Sequence, residues 1–269
     1  MGNALFVVWR ESVEAILVIG ILYAWLKRND SDGTGLRALW GGVAAGIGLA
    51  AALGWAMVAA QGELSGAALE WFQIAILFVA SGLIVQMVPW MQSQGRRMKH
   101  NLERDMAQAV QRAGTLGIAI VAALAVAREG AETVVFLYGM GMEDNPGAGM
   151  ASGAALGFLL AVLTAWALNR GLRFLGYRQF FRISGFLLLL FAVAFLATGV
   201  DRLIGMGWLP PLMDPVWDSS MLLDDTSPSG AVLAAFTGYR ARPSLMLVAI
   251  YAAYWIGIMF AQRRLAHHG

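Results

Sequence analysis

Seven apolar runs, each near the length a helix needs to cross a bilayer, constrain this chain more than any other feature. They fall at about 4–26, 38–60, 68–91, 115–142, 148–170, 183–206 and 244–262, and about 20 apolar residues suffice for one crossing. The runs are continuous, without the alternation of barrel strands. The expected fold class is an all-α polytopic membrane protein with seven transmembrane helices. Composition agrees: 59% of residues are hydrophobic and 13% charged, where soluble domains carry about 25% charged residues. No polar block is long enough to form a separate soluble domain, so 1–269 reads as a single transmembrane domain. The first run begins at Ala4 with no basic leader before it, which predicts a retained span and not a cleaved signal peptide. Cysteine is absent, which removes disulfides and thiolate metal sites.

Basic residues in the connections set the expected orientation, because they resist translocation. Lys27, Arg28 and Arg37 follow the first run, and Arg96, Arg97, Lys99, Arg104 and Arg112 follow the third. Arg170, Arg173, Arg178 and Arg182 follow the fifth, and Arg263 and Arg264 the seventh. The connections after the second and fourth runs carry Glu63, and Glu143 with Asp144, and no basic residue. This bias places the N-terminus outside and the C-terminus in the cytoplasm of a cytoplasmic (inner) membrane. The connection at 207–243 is then external.

Against this background two charged trios stand out. "FVVWRESVEAI" holds Arg10, Glu11 and Glu14 within the first run, and "AVAREGAETVVF" holds Arg128, Glu129 and Glu132 within the fourth. At 100° per residue each trio occupies one helix face. The four-residue spacing allows Arg10 to pair with Glu14 and Arg128 with Glu132, leaving Glu11 and Glu129 less neutralised. Each intramembrane charge costs about 2.5–3.5 kcal/mol to insert, so the trios are expected to face inward.

Three crossings separate the trios, so their helices run in opposite directions. That predicts a 3+3 inverted repeat, with a first half at about 4–91, a second at about 115–206, the external loop 207–243, and an additional seventh helix at 244–262. The binding site is expected where the halves meet. Four carboxylates offer hard oxygen ligands, and His100, His267 and His268 lie in connections or the tail. Hard oxygens suit hard cations. With every group ionised the local charge is −4 + 2 = −2, which favours a multivalent cation. No nucleotide-binding Gly-rich loop is present, and no Ser or His completes a hydrolase site at the trios. An enzyme is therefore not expected, nor a nucleic-acid partner.

"RESVE" and "REGAE" fit an Arg-Glu-x-x-Glu motif, and the chain resembles over nearly its whole length the oxidase-dependent iron transporter family, the high-affinity iron permeases of fungi and bacteria. The segments "VWDSSMLLDDTSPSG" and "GYRARPS" resemble the bacterial branch. The resemblance implies import of ferric iron as transported substrate, with Glu11, Glu14, Glu129 and Glu132 as ligands, Arg10 and Arg128 in support, and no cofactor. It adds Glu70, in "LEWFQIAILF", where the family has an acidic residue. It also implies an external iron-binding or iron-oxidising donor protein. The chain departs from the pattern in "GVDRLIGMG", where Asp201 and Arg202 stand in the place of a His and a Glu. The alternatives are a permease for another divalent metal, Fe(II), Mn(II) or Pb(II), and a membrane anchor subunit of a periplasmic iron oxidase.

The remaining features have plainer expectations. Gly41, Gly42, Gly46, Gly48 and Gly54 allow close helix packing. Trp9, Trp90 and Trp208 suit interfacial anchoring. Asp214, Asp218, Asp224 and Asp225 suit a solvated loop, and Arg240 and Arg242 could pair with them. The 14 methionines show no repeated spacing and read as packing.

Overall fold

The computed structural model describes residues 2–29, 33–94, 98–141, 148–169 and 177–267. Arg96, Arg97, Glu143, Asp144, Arg170, Arg173 and His268 of the charge pattern lie outside the described residues. The described residues form helices and no strand. In chain order these are α1 (Gly2–Asn29), α2 (Thr34–Glu63), α3 (Gly66–Gln94), α4 (Met98–Gly141), α5 (Ala148–Asn169), α6 (Tyr177–Gly205), α7 (Pro228–Thr237) and α8 (Leu245–His267). Each expected apolar run lies largely within a helix. Six helices, α2 to α6 and α8, are long and apolar enough to cross a membrane. The 28 residues of α1 reach about 42 Å at 1.5 Å per residue, long enough to cross. It differs from the six in holding Arg10, Glu11 and Glu14 in its middle.

Two compact units organise the chain. One contains 1–63 and 94–174, hence α1, α2, α4 and α5; the other contains 64–93 and 175–269, hence α3, α6, α7 and α8. Neither unit is one sequence half. The first takes the opening two helices of each half, and the second takes the third helix of each.

Within the first unit, α1 packs on α5 and on α4, and α4 packs on α2. Small residues permit this. A Cβ on Gly42 would run into the backbone carbonyl of Ala119, and one on Gly46 would lie 2.7 Å from that of Ala123. Gly54 would make only ordinary contact with Val134, and Gly41 and Gly48 face open space. The glycine row is thus divided, because one helix face meets a neighbour and the other does not. Trp9, half-buried, is a packing residue as well: its Nε1 donates to Thr164 Oγ1 of α5 at 3.0 Å.

α4 is two helical arms joined at Gly114, whose φ of 56° and ψ of −134° suit a residue without Cβ. The chain bends so sharply there that Gly117 meets the carbonyl of Ala109. Before the bend, buried Met106 joins Leu22, Leu26, Leu39, Ile118 and Ala122 in one apolar cluster, with Leu102 and Val110 against it. The stretch expected as a basic connection therefore includes an amphipathic arm spaced at four residues, 102, 106 and 110.

In the second unit, Ser81 Oγ of α3 donates to the Ala192 carbonyl of α6 at 2.8 Å. The 207–243 segment is held by backbone bonds, including Val216 N to Pro243 O and Ser219 N to Ala241 O, both 2.9 Å. It contains α7, whose ends follow from sequence: Ser227 Oγ caps the Gly230 N–H at 3.1 Å, Pro228 opens the helix, and Gly238 closes it at φ 70°.

Candidate functional site

The two trios meet inside the first unit. α1 and α4 are in contact, and single carboxylate oxygens of Glu11, Glu14 and Glu129 lie within 4.8 Å of one another. All three residues are buried, as is Glu132. Carboxylates from separate stretches of chain thus form one group. Like charges at this separation repel strongly in a low-dielectric interior, so the arrangement calls for cations.

Arginines supply part of that charge, and they do so unequally. Arg10 is completely buried. Its Nη1 donates to Glu11 Oε1 at 2.6 Å and its Nη2 pairs with Glu14 Oε1 at 2.5 Å. The spacing argument expected Glu14 alone as partner. A buried guanidinium has no water to satisfy its donor fork, so it engages both neighbouring carboxylates. Arg128 follows the expectation: its Nε donates to Glu132 Oε1 at 3.1 Å, and Glu129 receives no ion pair from it among those described. Its side chain is 47% exposed. Thr133 Oγ1 donates to the Glu129 backbone carbonyl at 2.8 Å, a bond internal to α4.

Among the described residues, no hydrogen bond reaches Glu11 Oε2, Glu129 Oε2 or Glu132 Oε2, all buried. Buried acceptors are normally satisfied. Oxygens spaced within 4.8 Å suit a cation bound at the 2.0–2.6 Å typical of oxygen ligation, since two such ligands stand no more than about 5 Å apart. The donor set is all oxygen and chemically hard. It can hold a multivalent cation and exchange it for protons.

The other residues singled out from sequence lie elsewhere. Glu70 is exposed in the second unit, near the start of α3, and is not in the three-carboxylate group. Asp201 accepts from Arg240 Nε at 2.8 Å, with Arg240 Nη2 donating to Thr198 Oγ1 at 3.2 Å. Arg202 Nη1 donates to Gln73 Oε1. The residues that depart from the expected pattern therefore brace α6 within its unit. Arg242 does pair with a loop aspartate, Asp218, at 3.0 Å. Asp218 is held below the ordinary aspartate range by the side-chain and backbone bonds of Ser220, and Asp224 by those of Thr226. A cavity of about 400 Å³ in the second unit is lined by Trp217, Tyr239, Leu247 and Tyr251 among others, with no carboxylate. Its charged lining residue is Arg240, which disfavours a cation there.

Sequence spacing alone could not rank the two arginines. Their difference depends on which neighbours cover each helix, and the i, i+4 pattern is the same in both.

Comparison with known proteins bears on the cation. A family description, "Iron permease FTR1 family", matches residues 1–266. The chain is 32% identical over 253 residues to a protein of Yersinia pestis named "Ferrous iron permease EfeU", covering 93% of this chain and 89% of that one. It is 31% identical over 255 residues to a protein of the same name from Escherichia coli O157:H7, covering 94% and 91%. No solved structure matches the chain.

Proposed function

The chain belongs to the iron permease FTR1 family, and on that premise we propose that it is a permease that imports iron as Fe(II) through the carboxylates of its two motifs. It is a multi-pass membrane protein, and its family is one of transporters. The observation that carries the site is the convergence of Glu11, Glu14 and Glu129 from two helices within 4.8 Å.

Two points support Fe(II) over the ferric ion expected from the resemblance. The relatives are named ferrous iron permeases, and the net −2 of the ionised trios is cancelled by a divalent ion. A second reading keeps Fe(III), delivered by an external iron-binding or iron-oxidising donor, because an all-carboxylate set suits the harder ion.

In this mechanism Glu11, Glu14 and Glu129 exchange with the hydration shell of the entering ion, and Glu132 is the reserve carboxylate held by Arg128. Arg10 keeps two ligands in fixed rotamers and limits repulsion when no iron is bound. Release follows protonation of the carboxylates or transfer of Arg128 between Glu132 and Glu129. α1 serves as a seventh span, its charges turned toward α4 and away from lipid. The 3+3 inverted repeat is supported by the pairing pattern, since α1 on α5 and α4 on α2 exchange when the halves are exchanged. The membrane is the cytoplasmic one, with the N-terminus outside, in keeping with the alternating basic connections. Glu70 serves as an exposed outer carboxylate on the iron path.

Uptake of radiolabelled iron into proteoliposomes, at matched protein levels, tests this. Fe(II) with reductant is compared with an Fe(III) chelate, and with Mn(II) or Pb(II) as competitors. The intact chain should import Fe(II), and Glu11→Gln and Glu129→Gln should each abolish import. Undiminished uptake by both variants would make the charges scaffolding and the carboxylate mechanism wrong; no uptake by the intact chain would leave the anchor-subunit reading standing. Import of the chelated Fe(III) alone would select the second reading.

A further inference from the structure

The two motif helices are each crossed, at a glycine, by a helix of the other sequence half. On α5, a Cβ added to Gly157 would run into the Leu5 carbonyl oxygen and lie 3.0 Å from the Trp9 backbone nitrogen. On α2, a Cβ added to Gly46 would lie 2.7 Å from the Ala123 carbonyl oxygen and 3.0 Å from the Ala127 backbone nitrogen. Counted from the motifs, these are the same atoms. Leu5 and Ala123 each precede the first motif glutamate by six positions, and Trp9 and Ala127 each precede it by two. Two crossings between different helix pairs therefore share one backbone register. Gly41 and Gly48, also on α2, would have nothing within 4 Å of an added Cβ, so the close approach belongs to the face that carries Gly42 and Gly46.

We propose that Gly46 and Gly157 are equivalent positioning residues for the carboxylate site, each seating a partner helix directly on the backbone of a motif helix. The inference rests on reading Glu11, Glu14 and Glu129 as the iron ligands. Each seat spans the backbone from six to two residues before the first glutamate of its motif, about 9 to 3 Å along the helix axis. With no side chain between them, backbone meets backbone, and the seat sets how deep and at what rotation the motif helix stands. Helices move as rigid bodies, so a displacement at the seat reaches the carboxylates. A ligand set needs its donors held to within about 0.5 Å, and a methyl group forced between backbones exceeds that. A third contact belongs to the same seat of α2 on α4: a Cβ on Gly130, adjacent to Glu129, would lie 2.5 Å from the Cβ of Ala50.

Fe(II) binding to the purified full-length chain under reductant, measured per folded molecule, is the test, together with the half-saturating iron concentration for uptake. Gly46→Ala and Gly157→Ala should each weaken binding and raise half-saturation by about tenfold, because a methyl group forced against backbone displaces the ligands. Gly48→Ala should match the parent chain. Gly130→Ala should weaken binding, and adding Ala50→Gly should restore it, because the pair conserves volume. Parent-like affinity in Gly46→Ala or Gly157→Ala, or an equal loss in Gly48→Ala, overturns the proposal. If an alanine variant does not accumulate, failure of Ala50→Gly to rescue Gly130→Ala overturns the seat of α2 on α4. Failure of the underlying reading looks different: Glu11→Gln and Glu129→Gln would then keep iron affinity, whatever the glycine variants do.

Discussion

Arg10 and Arg128 occupy the same place in the same five-residue motif, yet one is sealed and the other half exposed. Arg10 pairs with both Glu11 and Glu14, whereas Arg128 pairs with Glu132. A repeated motif therefore does not imply repeated energetics. Burial of the guanidinium decides what its ion pairs contribute, since desolvation and Coulomb attraction both scale with the loss of water. The first trio is sealed around its guanidinium, and the second leaves its guanidinium half exposed.

Four arginine–carboxylate pairs graded by exposure turn this contrast into measurements: Arg10 at 0%, Arg240 at 22%, Arg128 at 47% and Arg242 at 64%. The largest effect is expected from Arg10→Met, which strands two buried carboxylates and should cost about 3–5 kcal/mol. Thermal unfolding in detergent and the amount reaching the membrane should both fall. Arg10→Lys should recover little, because a point charge cannot serve two carboxylates as a planar fork does. If Arg10→Met is as stable as the parent, burial is not what separates the two trios.

Arg240→Met comes next. It removes partners from Asp201 and Thr198, and the partly buried acceptor left behind should cost about 1–3 kcal/mol, read in the same unfolding experiment. Arg128→Met leaves the buried Glu132 carboxylate without its pair and should also cost about 1–3 kcal/mol of stability, less than Arg10→Met, while its uptake rate falls. Equal destabilisation by Arg10→Met and Arg128→Met would erase the energetic distinction between the sealed and the exposed trio.

The smallest effect belongs to the exposed loop. Arg242→Ala should change stability by less than about 0.5 kcal/mol. Because Asp218 and Asp224 are held below the ordinary aspartate value of about 3.9 by Ser220 and Thr226, the sign of their pH dependence is fixed. Their contribution is fully present above that value and is lost as pH falls through the lower folded-state values. Hydrogen exchange at the Ser220 and Thr226 amides should show protection persisting below pH ~3.9, and Asp218→Asn should remove that persistence at Ser220.

Much of this was legible in the residues because membranes impose simple rules. Apolar length marks the helices at α2, α3, α5, α6 and α8, and a costly charge in an apolar run marks a site. Ser227, Pro228 and Gly238 bound α7, a helix that the expectation of a loop at 207–243 does not include. The amphipathic arm before Gly114 was hidden in a stretch whose charges suggested a connection, since its three apolar residues matter only once the chain folds back. Glu70 and Asp201 could not be sorted from the motif glutamates by type alone: one is exposed, and the other pairs with a loop arginine distant in sequence.

The sequence by itself determined that the chain is an all-helical membrane protein of this family and that Arg10, Glu11, Glu14, Arg128, Glu129 and Glu132 are its exceptional residues. Hydrophobic length, the cost of buried charge and motif spacing are local properties, and a linear reading contains them. The tertiary structure alone decided that Glu11, Glu14 and Glu129 converge, that Arg10 holds two carboxylates, and that Gly46 and Gly157 bear on backbone while Gly48 faces open space. Those outcomes depend on which helix covers which face, and that is settled by packing between segments more than seventy residues apart.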